Sequence, residues 1–421
     1  TLANGFQSLF ASQGLPDILI EPLTVVLAFL LPVLVPVLWA VGKDHGFNEH
    51  FGVWARQVLP GLFILGVTMS LVFQLVGVLG AQTLVGILEE GIFSGYVTPF
   101  LQEIVPSGFL YDLRVGQYGV ISMGIAYAIA IVLPVVSTFF IAFSFLEDSG
   151  YLPRLSILSD RLLRAMGLHG KALLPMVLGL GCVTMATMTT RILRSKKERF
   201  VATLLLALGV PCSAQLGVIL GITSGISLTA LLVLFGTVAS QLVFVGFVLS
   251  KLYPGQRSSF VLEVPPIRSP DWKNIFRKTY WRVVWFLKEA LPLFALGALA
   301  LFALDKLKLL GKIIEASEPV ITGLLGLPKE TAAVFLVGFL RRDYGAAGLF
   351  DLSRQGQLDS IQIVVGLVVL TLFVPCIANS LVIVKEQGLR KALGMITFVF
   401  VYAVGVGGLL NWLLRTFEIV L

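Results

Sequence analysis

The stretch ALLPMVLGLGCVTMATMTT, from Ala172 to Thr190, decides how the rest of the chain reads. It is apolar enough for membrane depth, yet glycines and hydroxyls interrupt it. The segment before it, Asp148–Lys171, carries Arg154, Arg161, Arg164 and Lys171, and Arg191–Arg199 after it carries five basic residues against Glu198. Basic loops stay on the cytoplasmic side of a bilayer, so both flanks belong to that side. A segment whose two ends share one face must turn back inside the membrane. Such a re-entrant hairpin is tolerated only where protein or a cavity surrounds it.

Working outward, the composition agrees with a membrane setting. Of 421 residues 57% are hydrophobic and 13% charged, and the mean hydropathy is +0.93. A soluble domain is about 45–50% apolar and about 25% charged. The net charge of +7 sits in short loops between apolar runs, where it orients spans and does not imply nucleic-acid binding. Thr1–Gly14 lacks the basic region and apolar core of a cleavable signal. A span needs about 20 mainly apolar residues. Leu23–Val41, Leu59–Leu79, Val120–Phe145, Phe200–Ile222, Leu228–Leu252, Val283–Leu304, Ile361–Val384 and Ala392–Leu414 qualify, and Thr331–Leu349 is a second interrupted stretch. The loops Lys251–Arg282 and Lys385–Lys391 are basic and hence cytoplasmic, whereas the charges after Leu304 balance, as an outside loop allows. Each half therefore reads span, hairpin, span, span, with opposite orientation, and Val210-Pro211-Cys212 recurs as Val374-Pro375-Cys376. The expected fold is an all-α integral membrane protein, a polytopic helical bundle with two inverted repeats and re-entrant, broken helices. Inverted repeats with Gly/Pro-broken helices are a transporter pattern, with the substrate near the midplane.

The chemistry sits at the breaks. Gly179-Leu180-Gly181-Cys182 and Gly209-Val210-Pro211-Cys212-Ser213-Ala214-Gln215 place a cysteine beside Gly or Pro. Proline frees a carbonyl one turn back, so a break offers oxygens and the cysteine adds sulfur. Thiolate and thioether ligands favour transition metals over Mg²⁺ or Ca²⁺. The candidate metal-handling residues are Cys182, Cys212 and Cys376, with Ser213, Met185, Asp343 and Asn379 behind them. Glu147 and Asp148 are expected either to attract cations at the cytoplasmic mouth or to cap the amphipathic helix that follows. Leu155–Leu168 reads as an amphipathic interfacial helix. His45, His50 and His169 lie in hydrophilic connections, away from any intramembrane site. No nucleotide-binding or hydrolase motif occurs, so the chain reads as a transporter and not as an enzyme.

Longer runs resemble a family. Leu146-Glu147-Asp148-Ser149-Gly150-Tyr151, Gly167-Leu168-His169-Gly170-Lys171, Met188-Thr189-Thr190-Arg191, Cys212-Ser213-Ala214-Gln215-Leu216, Leu262-Glu263-Val264-Pro265-Pro266-Ile267-Arg268 and Lys385-Glu386-Gln387-Gly388 are similar to motifs of the membrane domain of the FeoB ferrous iron transporters. The resemblance runs from about Leu113 to the C-terminus. It implies a bacterial inner-membrane permease for Fe²⁺, the transported substrate, with no cofactor and with two gate regions whose cysteines match Cys182 and Cys212. Val183-Thr184-Met185 after the first gate cysteine, Ala214-Gln215 after the second Cys-Ser, and Arg341-Arg342-Asp343-Tyr344 in the second hairpin depart from the usual pattern. The implied organisation is an N-terminal transmembrane and extracytoplasmic region over 1–112, a first gate repeat over 113–260 and a second over 261–421. The family's usual N-terminal GTPase domain is not in this sequence. A permease-only relative, a separate GTPase protein, or a non-spanning Leu23–Val41 would each account for that. Expected partners are the lipid bilayer, a divalent metal ion, a separate GTPase and further copies of the chain in a homo-oligomer, with no nucleic acid. The competing readings are a transporter of a small organic, nucleoside-like substrate and a non-transporting membrane scaffold or regulatory subunit.

Overall fold

The computed structural model describes residues 53–54, 57–88, 91, 93, 128–224, 227–253, 267, 270–307, 309–340, 342–373 and 375–417. The expected span Leu23–Val41 lies outside them. Among the described residues the secondary structure is entirely helical. Five helical stretches among the described residues are long and apolar enough to cross a membrane: Leu59–Gly80, Ile129–Asp148, Thr229–Leu252, Ser360–Gln387 and Leu389–Thr416. The contacts divide the chain into two compact units, residues 1–161 with 259–295, and residues 162–258 with 296–421.

In the first unit, helix α1 (Val58–Phe73) continues as wider π-type turns over Gln74–Leu84 and packs along α2 (Leu133–Asp148). The two approach closely at Gly80, where an added Cβ would stand 2.3 Å from Thr138 Oγ1. Thr138 turns its hydroxyl back to the Pro134 and Val135 carbonyls and so costs the span no unmet donor. Helix α3 (Tyr151–Ala165) follows after the positive-φ Gly150. Arg161 and Arg164 are exposed beside buried Leu155 and Leu163, but the separation is incomplete: Arg154 is buried, donating to Gly150 O at 2.7 Å, and Leu162 is exposed. The motif at the end of α2 is structural. Asp148, 4% exposed, accepts from the Asp271 backbone N–H (3.0 Å) and from Asn274 Nδ2 (3.2 Å). It thereby anchors the start of α9 (Trp272–Lys306). Glu147 accepts from Arg282 Nη2 at 2.6 Å and lies 3.4 Å from Lys278 Nζ. Both carboxylates are thus engaged in fastening α2 to α9, so neither caps the amphipathic helix α3 as the sequence alternative had it. Trp272, Phe276, Tyr280, Trp281 and Trp285 on α9 are exposed beside Lys273 and Arg277. Amphipathic aromatics flanked by cations suit the headgroup level of a bilayer.

In the second unit, α4 (Leu173–Gly181) and α5 (Val183–Thr189) meet at Cys182, and α6 (Lys196–Gly209) and α7 (Ser213–Ser224) meet across Val210–Cys212. An unbroken helix, α8 (Leu228–Leu252), closes this set. After α10 (Leu309–Gly323) the plan recurs. Two short helices follow, α11 (Thr331–Leu340) and α12 (Arg342–Arg354). Helices α13 (Ser360–Leu372) and α14 (Ile377–Gln387) break across 373–376. An unbroken α15 (Leu389–Thr416) ends the set. The packing recurs as well. Helix α4 packs on α5 as α11 does on α12, α6 on α8 as α13 on α15, and α7 on α8 as α14 on α15. The crossed pairs match too: α5 packs on α14 as α7 does on α12, and α8 on α13 as α15 on α6. Exchange of equivalent partners between two halves is what a pseudo-two-fold relation produces.

Within the second unit the broken spans are the buried ones, although burial alone does not break a span: Ile129–Asp148 in the first unit is 67% buried over its apolar window and is continuous. The Ser360–Gln387 span is 71% buried, against 22% for Thr229–Leu252 and 28% for Leu389–Thr416. Every residue from Ile363 to Leu372 is buried, as are Val201–Gly209 on α6. Helices apolar all round belong inside a bundle, and interrupted backbone is tolerated at membrane depth only where protein encloses it. The unbroken α8 and α15 turn Leu232, Phe244, Phe247, Phe400, Val401, Leu409 and Trp412 outward. Close approach within the second hairpin rests on two glycines. A Cβ on Gly345 would stand 2.6 Å from Gly338 Cα, so α11 and α12 touch backbone to backbone.

Candidate metal path at the helix breaks

Each break ends one helix and begins another, so it sets unpaired carbonyls beside unpaired N–H groups. At the first gate, Ser213 Oγ donates to the Gly181 carbonyl at 3.2 Å, which ties the hairpin break to the span break. Ser213 is 5% exposed. Pro211 has no N–H to give one turn back, and the carbonyl so released is that of Ala207. That carbonyl is not open, and two others at the span ends are not open either. Arg342 Nη2 donates to Ala207 O at 3.0 Å and to Phe373 O at 3.3 Å, and Nη1 donates to Val210 O at 3.1 Å. Arg342 is 4% exposed. One guanidinium from the second hairpin therefore fills the ends of both broken spans. This corrects the expectation that the Pro breaks present free carbonyls to a cation: these three oxygens are already occupied.

None of the three candidate cysteines forms a disulfide, and all stay partly exposed. That is unlike an inert buried Cys, which is usually sealed in the core. Cys376 Sγ and Thr184 Oγ1 lie 4.0 Å apart, a contact between the start of α14 and the start of α5. Cys182 lies within electrostatic reach of Cys376, and Arg342 within reach of Cys212 and Cys376. Among the described residues, no three of His, Cys, Asp and Glu converge tightly enough to hold a metal ion together. The sulfurs are spread over the breaks and do not form one cage.

The weaker candidates divide. Met185 is 5% exposed and lies on α5, whose Thr189 and Thr190 bond their own helix carbonyls. Asn379, on α14 beyond Cys376, is fully buried, and neither its Oδ1 nor its Nδ2 has a hydrogen-bond partner. Gln215 donates to Thr371 Oγ1 at 3.4 Å, which joins α7 to α13, while its Oε1 has no partner. Buried amide groups without partners are costly and uncommon, so they point to polar contents that pass through or reside there. Asp343 begins α12 beside Arg342, and its side chain lies outside what the structure describes. His169 stands apart from the breaks, 3.3 Å from Glu198 Oε2, with its Nδ1 accepting from the Lys171 N–H.

Two features escape a reading by motif. Arg342 is one; its signal was a pair of arginines inside an apolar hairpin, where the eye goes to Asp343. The other is an ion cluster at the far end of α5 and α14. Arg191 Nε donates to both Glu386 carboxylate oxygens, at 2.9 and 3.0 Å. Arg199 adds a longer contact of 3.4 Å to the same carboxylate. Gln387 Nε2 donates to Thr203 Oγ1 at 3.2 Å. The α5–α14 pair is thus held at both ends, by Thr184 and Cys376 near the breaks and by this cluster at the basic loop.

Fold and site together define a polytopic helical membrane protein of the broken-helix, two-gate type. The gate domain (described as nucleoside recognition) matches twice, at residues 129–226 and 287–390, and the C terminus of ferrous iron transport protein B matches at 229–282. The chain is related to the FeoB ferrous iron transport family, as its motifs suggest. An Fe(2+) transporter FeoB of Staphylococcus aureus (strain COL) is 27% identical over 320 residues, covering 69% of this chain and 46% of that protein. A Helicobacter pylori (strain ATCC 700392 / 26695) protein of the same name is 27% identical over 260 residues, covering 58% of this chain and 38% of its own length. A Porphyromonas gingivalis (strain ATCC BAA-308 / W83) protein, named an Fe(2+) transport protein A/Fe(2+) transporter FeoB fusion, is 30% identical over 254 residues, 58% of this chain and 28% of its own. The chain spans less than half the length of these curated relatives. No solved structure matches it.

Proposed function

We propose that this chain is the membrane permease part of a ferrous iron transporter of the bacterial inner membrane, with Fe²⁺ as its substrate. The observation that carries the reading is the placing of three partly exposed cysteines at three of the helix breaks of the pseudo-symmetric repeats. Since they do not converge on one point, Fe²⁺ meets them in succession. Cys182 and Cys376 form one station, flanked by Thr184, and Cys212 forms the next. Met185, Ser213 and Asn379 supply a thioether, a hydroxyl and an unpartnered amide along the way, and Asp343 is retained from the sequence as an acidic group at the second hairpin. The working halves are the first repeat over 113–260 and the second over 261–421, with 1–112 as an N-terminal membrane region. A separate GTPase protein is a proposed partner. So is a protein of the type fused to the Porphyromonas gingivalis relative.

The test is anaerobic uptake of radiolabelled Fe²⁺ into proteoliposomes, comparing the wild-type chain with Cys182→Ser, Cys212→Ser and Cys376→Ser. Uptake by the wild type that the folded variants lose supports the sulfur path. Variants that transport like the wild type refute it.

A second reading is favoured by one specific observation. Asn379 and Gln215 leave amide atoms unpartnered at the breaks, and amides recognise the edges of organic solutes such as nucleosides. Uptake of labelled nucleosides in the same vesicles, unaffected by the cysteine substitutions, would support it.

A further inference from the structure

The second hairpin buries a permanent cation at the point where a transporter of cations would be expected to hold its cargo. Arginine is charged at every accessible pH and presents its N–H groups in a rigid planar fork. In this chain that fork donates to Ala207 O, Val210 O and Phe373 O, carbonyls from the ends of both broken spans. Ionisable groups at membrane depth are expensive and persist where they serve the pathway. Purely structural satisfaction of those carbonyls did not require a charge; a neutral amide or hydroxyl on a neighbouring helix would do it, as Ser213 does for Gly181.

We propose that Arg342 is a specificity-determining residue: a tethered guanidinium that occupies the carbonyl oxygens at the two Pro breaks and so leaves sulfur as the main ligand offered to a passing ion. The inference rests on the ferrous-iron reading for its physiological meaning. The chemistry is a sorting of ligands. Carbonyl and carboxylate oxygens suit Mg²⁺, Ca²⁺ and Mn²⁺, whereas thiolate and thioether suit the softer transition metals. Carbonyl ends of broken helices are the usual cradle for hard cations in transporters. With Arg342 in place, that cradle is filled from within. The sulfur groups of the path, Cys182, Cys212 and Cys376 with Met185, then favour softer ions over the hard divalent ones. The fixed positive charge of Arg342, within electrostatic reach of Cys212 and Cys376, adds to the barrier against any ion those sulfurs do not bind.

Replacing Arg342 by a neutral residue frees the three oxygens and gives hard cations a site. Two readouts test this in the full-length chain. The first is binding of Mn²⁺, followed by electron paramagnetic resonance in detergent, and it does not depend on transport. The second is anaerobic Fe²⁺ uptake into proteoliposomes with Mg²⁺ or Mn²⁺ in excess. Arg342→Gln should bind Mn²⁺ about tenfold more tightly than the wild type, the size of one well-made ligand contact. It should also make Fe²⁺ uptake sensitive to Mn²⁺ and Mg²⁺. Arg342→Lys keeps the charge on a single point donor, covers fewer of the carbonyls, and should fall between the two. If the glutamine variant does not fold, the lysine variant decides alone. Folded variants that bind Mn²⁺ no better than the wild type overturn the inference, whatever the transport result. Absence of Fe²⁺ uptake by the wild type counts against the permease reading instead, and the Mn²⁺ measurement still decides the role of Arg342.

Discussion

Gly345→Ala probes the hairpin that delivers Arg342. An ideal Cβ at this position would lie 2.6 Å from Gly338 Cα, 3.2 Å from Gly338 N and 2.9 Å from Leu370 Cδ1. Carbon atoms rest at about 3.5–4.0 Å, so α11 and α12 must part by roughly 1 Å. The Leu370 tip can rotate away; the Gly338 backbone cannot. Overpacking of this kind costs about 1–3 kcal/mol, against a gain of about 1 kcal/mol from replacing a helical glycine by alanine. The net loss is about 0–2 kcal/mol on those two figures, toward the upper end because the Gly338 backbone cannot move aside. The reciprocal change, Gly338→Ala, meets the movable Leu370 Cδ1 at 2.7 Å and Gly345 Cα at only 3.3 Å, so it should cost less. Gly236→Ala on α8 meets nothing within 4 Å and should stabilise by up to about 1 kcal/mol. Thermal unfolding of the purified protein in detergent ranks the three. The reasoning fails if Gly345→Ala unfolds at or above the wild-type temperature while Gly236→Ala behaves as stated. That outcome would mean the two hairpin helices are not in backbone contact. A parting of 1 Å would also carry Arg342 toward the limit of its bonds of 3.0–3.3 Å, so Gly345→Ala should share part of the Mn²⁺ binding of Arg342→Gln.

The Arg191–Glu386 pair should show a coupling of about 1 kcal/mol in a double-mutant cycle of unfolding with Arg191→Ala and Glu386→Gln. The figure is kept low because the Arg191 side chain is 43% exposed even though Glu386 is only 4% exposed; additive single mutants would show that the α5–α14 pair is not fastened there. Asp148→Ala removes the acceptor that anchors the start of α9 and leaves Lys278 with Glu147 alone among its two carboxylates. It should destabilise by about 1–2 kcal/mol, read by hydrogen exchange in the first turns of α9, where unchanged protection would count against the staple.

Much of the architecture was legible because the bilayer imposes it. A run of about 20 apolar residues reads as a span without reference to neighbours, and Leu228–Leu252 coincides with helix α8 residue for residue. Basic flanks on both sides of Ala172–Thr190 implied a turn within the membrane, and the helix does stop at Cys182. Pro211 and Pro375 marked the breaks in the two central spans because a missing N–H is a local, sequence-encoded event. What the freed carbonyls do was not legible, since their partner comes from a residue more than a hundred positions away in the chain. Equally, the sequence offered Asp148 as a cation-attracting mouth or a cap of the amphipathic helix, and its partners at the start of α9 make it neither.

The sequence by itself determined that the chain is an all-helical membrane protein with two recurring gates, and it marked Cys182, Cys212 and Cys376 as the residues of interest. Hydropathy, charge asymmetry and proline act within a few residues of themselves, so a linear reading recovers them. Only the tertiary structure decided which helices stand at the centre, that the gates exchange partners across a pseudo-two-fold relation, and that Arg342 closes the carbonyl ends of both broken spans. Those facts depend on which distant segments meet. Local composition does not encode such meetings; packing of the whole unit does.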